Sequence, residues 1–271
     1  MALASDTGRR PTISLTTDFG HQGPFAAVMR AVIAARCPDA TVIDLTHDIP
    51  VHWPPEAGFW VRRAYPYFPP RTVHVAVVDP GVGTERDIIA MTVDGHRFLA
   101  PDNGLLGDLL EIRPEATCVR VDVDRLRTKL DLPPPSATFH GRDLFAPAAA
   151  ALAAGRLDIS ELGPTWTEWV PSQVDAPESR SNGIAGTVIS IDTFGNLITN
   201  IDRTQLTEIA TPSVQVAGIR LSLASTYGRV SPGDYLALIN SFDVVEIARA
   251  EGSAAAGLGI GRGAPVRISA E

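Results

Sequence analysis

Asp79 and Arg86 stand seven residues apart in VVDPGVGTERD, where an apolar run breaks into a Pro-Gly-Val-Gly turn. A carboxylate at such a break can close the turn or present one charge to a ligand. An arginine close by would keep it ionised. Other turns share the pattern: Asp18 in TTDFG, His47, Asp48 and Trp53 in THDIPVHW, Asp102 and Asn103 in APDNG, and His140, Arg142 and Asp143 in TFHGRD. Two chemistries suit this set. Asp18, Asp79, Asp102 and His140 have the ligand types for Mg or Mn, although no HxH, HxxE or DxD spacing supports a metal. Without a metal, Asp79 and His140 would orient or deprotonate a water while Arg86 holds the aspartate charged.

Each residue also has a purely structural reading. Asp18 before Phe-Gly can bond turn amides, and Asp102-Asn103-Gly104 is an ordinary turn. Asp143 suits the first turn of a helix, and His140 alone could be a satisfied structural histidine. The PGVG turn lacks the spacing of a phosphate loop. Trp60, Tyr65, Tyr67 and Phe68 are expected to pack in the core and at a helix end. The functional reading rests on convergence, because all the polar turns fall at strand ends or face them.

The elements that must position these residues alternate. Strands are expected at 12–17, 40–46 and 72–79, with Pro-bounded helices between them. The third strand is almost wholly apolar, as in a parallel sheet covered on both faces. A hairpin turning at Asp94-Gly95 follows, then a short helix, a strand from Thr117, and a helix over 141–155 ending at Gly155. This is an α/β pattern with a mostly parallel sheet, in which ligands sit beyond the carboxyl ends of the strands. From Gly183 the segments are short and strand-like, as in a small all-β, barrel-like domain. The expected organisation is an α/β domain over 11–160, a linker over 161–182 and a β-barrel-like domain over 183–271.

The 271 residues carry a formal charge of −8, which argues against a nucleic-acid partner. Cys37 and Cys118 form no CxxC pair, so neither a zinc site nor a disulfide framework is expected, and a reducing, cytoplasmic setting fits. The first ten residues carry no apolar leader and no stretch is long enough to span a membrane.

Six segments in order resemble the S-adenosylmethionine hydroxide adenosyltransferase family, relatives of the fluorinase and chlorinase. They are ISLTTDFG, VVDPGVGTER, APDNGLLG, TFHGRDLFAPAAA, IDTFGNLITNI and LINSF with the following EIA and GSAAAGLGIGRGAPVRI, and they span about 12 to 269. The resemblance implies an α/β N-terminal domain, a barrel-like C-terminal domain and a homotrimer. Its sites would lie between the N-domain of one subunit and the C-domain of the next. It also implies that Asp79, Arg86 and His140 handle water, since the halogenases have Tyr, no Arg and Tyr at the matching positions. Gly141 stands where the fluorinase has its halide-binding serine, but the chlorinase also has glycine there. Asp18 matches the carboxylate on the ribose hydroxyls and Trp53 an aromatic wall beside the ribose. Asp192, Phe194 and Asn196 match the segment on the methionine amine and the adenine, and Ser241 a carboxylate contact. Phe242 departs from the fluorinase arginine. Tyr227 would stack on adenine, and Arg249 and Glu251 align with backbone contacts.

The implied reaction is displacement of methionine from the ribose C5′ of S-adenosylmethionine, with no cofactor. A sulfonium leaves as a neutral thioether, so no general acid is needed. The difficulty is holding a weak nucleophile in line, where positioning can supply up to roughly 7–11 kcal/mol. Sequence leaves open whether Asp79 or His140 takes the proton. It also leaves a halogenase, or a non-catalytic binding or sensor protein, as alternatives.

Overall fold

The computed structural model describes residues 10–180 and 183–270. The expectation of no leader concerns residues that, but for Arg10, lie outside this range. So do the last two residues of the expected linker and Glu271. The chain divides into two compact units, residues 1–173 and 174–271.

The first unit starts with β1 (Thr12–Thr17), α1 (Phe25–Arg36), β2 (Thr41–Thr46), α2 (Pro54–Ala64) and β3 (Val73–Val77). It continues with β4 (Ile88–Val93), β5 (His96–Pro101), α3 (Gly107–Ile112), β6 (Thr117–Arg120), α4 (Val123–Leu130) and α5 (Ala146–Ala153). The strand order is β2-β1-β3-β5-β4-β6. β2, β1, β3 and β5 run parallel, and β4 is antiparallel to both its neighbours. β1 and β3 are buried nearly end to end because helices cover both faces. On one face Ile13, Leu15, Val73 and Val75 meet Met29 and Ile33 of α1 and the alanines of α5. On the other, Ala76, Met91 and Phe98 meet Ala57 and Val61 of α2 and Leu109 and Leu110 of α3.

The helix edges follow their residues. α1 starts after Pro24, and its buried Ala26, Met29 and Ile33 fall on one stripe. The expected helix at 141–155 is a π-turn over Gly141–Phe145 followed by α5. Gly155 follows with a φ of +66°. The strand expected from Thr117 ends at Arg120, and α4, capped by Asp122, follows it. Of the four aromatics expected to pack, Tyr65 is buried and Tyr67 is 73% exposed, at the end of a 3-10 turn.

The expected linker does not run free from residue 161. Residues up to 173 pack on the first unit. Trp166 Nε1 and the Val170 N–H donate to the buried Asp102 carboxylate at 3.1 and 2.8 Å. Arg120 lies 4.7 Å over the Trp166 ring. A tryptophan and a carboxylate far apart in sequence left no periodic signal.

The second unit contains β7 (Glu178–Arg180), β8 (Gly183–Ile191), β9 (Leu197–Asp202), β10 (Pro212–Val216) and β11 (Ile219–Ser222). β12 (Tyr235–Ile239), β13 (Val244–Arg249), α6 (Ala254–Leu258) and β14 (Pro265–Ala270) complete it. The path β11-β10-β14-β8-β9-β13-β12 is antiparallel throughout. A bridge between Leu223 and Ala237 brings its two ends together. The result is a nearly closed barrel around Val188, Leu197, Val214, Ile247 and Val266.

Candidate active site

β1 leads by way of α1 to β2 on one side, while β3 lies on the other. The carboxyl ends of β1 and β3 therefore flank a point where strand order reverses, the usual place for a ligand in such sheets. A cavity of about 320 Å³ opens there, lined among others by Asp18, Val51, His52, Asp79, Phe139, His140 and Gly141.

Asp18 follows β1. Its Oδ2 accepts from the His52 N–H at 3.0 Å, and His52 itself has a φ of +61°. The buried His47 ties the two loops, since it shares a 2.8 Å hydrogen bond with Thr17 Oγ1 and its carbonyl accepts from Gly20 N–H. Val51 and His52 line the cavity on this side. Trp53 lies one residue before α2, its N–H bonded to the Pro50 carbonyl, and is not among the lining residues.

Asp79 and Arg86 sit at the two ends of the glycine turn. Arg86 Nε donates to both Asp79 oxygens at 2.9 and 3.0 Å, and Nη2 adds a third, short bond to Oδ2. The two side chains are 11% and 5% exposed. Arg86 Nη2 also donates to His140 Nδ1 at 2.9 Å. Arginine has only donors, so Nδ1 is an acceptor and the ring proton sits on Nε2. Burial first, then the Arg86 charge, lowers the His140 pKa against the opposing pull of Asp79, Asp143 and a backbone bond at Ser136. His140 is therefore neutral at pH 7. Glycine is required at two points near this site. Gly83 has a φ of +76°, and a Cβ there would lie 2.0 Å from the Ala137 carbonyl oxygen. At Gly141 a Cβ would meet Met29 Sδ at 3.0 Å and the Phe139 ring at 3.1 Å.

Among the described residues no group of three or more His, Cys, Asp or Glu side chains is arranged to hold a metal ion. Asp102, one of the four weighed as ligands, is engaged by Trp166 and Val170, with its pKa raised by burial. Asn103 braces the same region, donating from Nδ2 to the Val78 carbonyl at 2.8 Å.

The second unit has a cavity of about 560 Å³ whose lining includes Asp192, Phe194, Asn196, Tyr227, Arg249, Glu251 and Ser253. Asp192 Oδ1 accepts from the Phe194 and Asn196 N–H groups, and Oδ2 from Asn196 Nδ2, at 2.9 to 3.0 Å. Gly195, with a φ of +81°, lets this loop touch Ser253, which caps α6. Phe194 is 78% exposed and Tyr227 46%. The Tyr227 hydroxyl donates to the buried Glu246 at 2.6 Å, and Asn240 Nδ2 donates to the other oxygen at 3.1 Å. Arg249 Nε donates to the Gly233 carbonyl at 3.0 Å and its guanidinium lies over Tyr235. Glu251 occupies the left-handed region with a φ of +53°. Ser241 is exposed in the turn between β12 and β13 and does not line this cavity.

Sequence reading missed Phe25, Val51, His52 and Phe139 in the first cavity, Ser253 in the second, and the buried support from Glu246. Only Glu246 left a signal, as a carboxylate inside the apolar run VVEIA.

The chain is similar to known proteins over nearly its whole length. Models of the SAM hydroxide adenosyltransferase N-terminal and C-terminal domains match residues 13–163 and 186–267. A protein of Thermus thermophilus named (R)-S-adenosyl-L-methionine hydrolase is 39% identical over 264 residues, covering 96% of this chain and 99% of its own. A fluorinase of Actinopolyspora mzabensis is 25% identical over 308 residues, covering 98% of this chain and 99% of its own. The crystal structure of an uncharacterized conserved protein from Thermotoga maritima superposes with a TM-score of 0.86 at 33% identity, covering 95% of this chain and 99% of the other. With the two domain models and the hydrolase relative matched along nearly the whole chain, this protein belongs to the SAM hydroxide adenosyltransferase family.

Proposed function

We propose that this protein hydrolyses S-adenosyl-L-methionine to adenosine and L-methionine. The observation that carries the reading is the Asp79–Arg86–His140 chain at the mouth of β3, whose two ends, Asp79 and His140, line one cavity with Asp18. The hydrolase relative supports it.

Water attacks C5′ as the C5′–S bond breaks, and the bond pair goes to sulfur. The leaving methionine is a neutral thioether, while the water proton must leave the new hydroxyl. Arg86 engages both Asp79 oxygens and holds the carboxylate at a fixed angle. His140 Nδ1 is already occupied, so the ring has no free acceptor there. The pair therefore orients the nucleophile, with Asp79 the accepting group. Fixing the nucleophile and giving general-base help together suit a reaction whose leaving group needs none; the base contributes about 10²–10⁴-fold. Neutral His140, and an Arg86 charge balanced by Asp79, place no net positive charge against the sulfonium. Asp18 adds a negative one. Asp18 is suited to accept from the ribose diol, and the ring of Tyr227 to stack on adenine while Glu246 fixes its hydroxyl. The chemistry calls for no cofactor.

We further propose a homotrimer in which the first cavity of one subunit is completed by the second cavity of its neighbour. What supports this is the exposed apolar rim of each: Phe25 and Val51 on the first, Phe194 and Tyr227 on the second. A cytoplasmic setting suits the two buried, unlinked cysteines. The test is product identification with purified protein and S-adenosylmethionine, with and without chloride. Adenosine and methionine, independent of halide, support the reading. A halogenated nucleoside or intact bound substrate refutes it.

A further inference from the structure

Asp143 does not line the cavity, yet it holds the turn that supplies Thr138, Phe139 and His140 to it. Its Oδ2 accepts from the Ser136 N–H at 2.8 Å. Arg142 Nε donates to Oδ1 at 2.5 Å and Nη2 to Oδ2 at 3.0 Å. The same guanidinium reaches Ser136 Oγ at 3.4 Å and lies 5.3 Å over the Phe139 ring. Ser136 Oγ accepts from the Phe139 N–H at 3.2 Å. The segment 136–140 is thus folded on itself and clipped at its first residue to Asp143. It needs the clip, because residues 133–135 before it are all proline and carry no backbone donor.

Two further contacts make this turn matter for the chemistry. The Ala137 carbonyl is the surface against which Gly83 packs, and Arg86 bonds His140. Both arms of the Asp79–Arg86–His140 chain therefore bear on one short turn. The Asp143 side chain is 15% exposed. Burial opposes its ionisation, but the bonds from Arg142 and Ser136 outweigh burial and hold its pKa down at about 2, so the clip is charged at any working pH.

We propose that Asp143 is a positioning residue that clips Ser136 so that His140 stands within reach of Arg86, fixing the water-handling chain without touching substrate. The kinetic side of this rests on the hydrolase reading and the spectroscopic side does not.

The experiment is a cycle of Asp143→Asn and His140→Ala in the full chain. A displacement of about 1 Å at a reacting group can cost on the order of 10²-fold. Because asparagine keeps one acceptor, Asp143→Asn should lower kcat by about 10-fold, with KM for S-adenosylmethionine within about twofold. In the His140→Ala background the same change should lower kcat by clearly less than that, because the route through His140 is already gone. Effects that simply multiply would overturn the proposal. Asp143→Glu, which keeps the charge, should restore part of the loss. The second readout is the ¹⁵N spectrum of the His140 ring in substrate-free protein. Wild type should show a protonated Nε2 and bare Nδ1, and Asp143→Asn should shift or broaden both. Unchanged ring signals overturn the clip whether or not turnover occurs. A wild type that makes no adenosine overturns the hydrolase reading and leaves the spectrum to decide the clip.

Discussion

Arg86→Lys is the most informative perturbation of the water-handling chain, because it keeps the charge and removes the geometry. Arg86 makes two Nε bonds to Asp79, a third from Nη2, and the Nη2 bond to His140. A lysine carries its three donors on one nitrogen, lacks the planar fork, and cannot span carboxylate and imidazole in one plane. Asp79 stays paired with a cation, so the large cost of an uncompensated buried carboxylate, about 3–5 kcal/mol, does not arise and the fold survives. What goes is orientation. A hydrogen bond to a charged partner is worth about 1.5–3 kcal/mol, and losing one such bond from the transition state corresponds to about 10–10²-fold in rate. Arg86 does not line the cavity, so binding should hold. The assay is steady-state adenosine release with adenosine binding measured by calorimetry. We expect kcat to fall by about 10–10²-fold and adenosine affinity to stay within about threefold. A wild-type kcat in Arg86→Lys would show that charge alone suffices and would refute the orienting role.

Tyr227→Phe deletes the donor to Glu246, which is 3% exposed and whose pKa burial already raises. It should cost about 1–3 kcal/mol in urea unfolding while the ring face, and hence adenosine binding, is kept. Lost binding with unchanged stability would reverse the roles assigned to ring and hydroxyl. The second expectation concerns acid. His74 is 2% exposed, shares bonds with Ser14 at 2.7 Å and His96 at 3.2 Å, and burial, with His96 next, lowers its pKa to about 3. A group with a depressed folded pKa contributes stability that is present above its unfolded value, about 6.5. That stability is lost as pH falls toward 3. By pH 5 His74 alone should remove about 2 kcal/mol, and His96 shifts in the same direction. Unfolding free energies from pH 7 to 5 check this, and the paired change Ser14→Ala with His74→Phe should flatten the slope. An unchanged slope would refute the assignment.

Much of the fold was legible because its signals are local. The apolar runs at 12–17 and 72–79, Pro24 before α1 and the Asp94-Gly95 turn each dictate structure within a few residues. The joining of Asp79, Arg86 and His140 was legible through strand-end placement and family resemblance together. What was hidden depends on contacts across long separations. Trp166 on Asp102 turns part of the expected linker into packed structure. Glu246 under Tyr227 is 19 residues from its partner. The placing of Val51 and His52 at the cavity depends on the Asp18 bond and a left-handed His52, which no residue pattern announces. Asp143 was read as a helix-start carboxylate and does stand in the first turn of the π-helical segment, but its bonds to Ser136 and Arg142 follow from no residue pattern.

The central claim is that oriented water attacks C5′. The direct measurement is turnover of S-adenosylmethionine in ¹⁸O water with chloride present, followed by mass analysis of both products. The account predicts one ¹⁸O in the 5′-hydroxyl of adenosine, none in methionine, and no chlorinated nucleoside. Unlabelled adenosine, a halogenated product, or substrate recovered intact would contradict it.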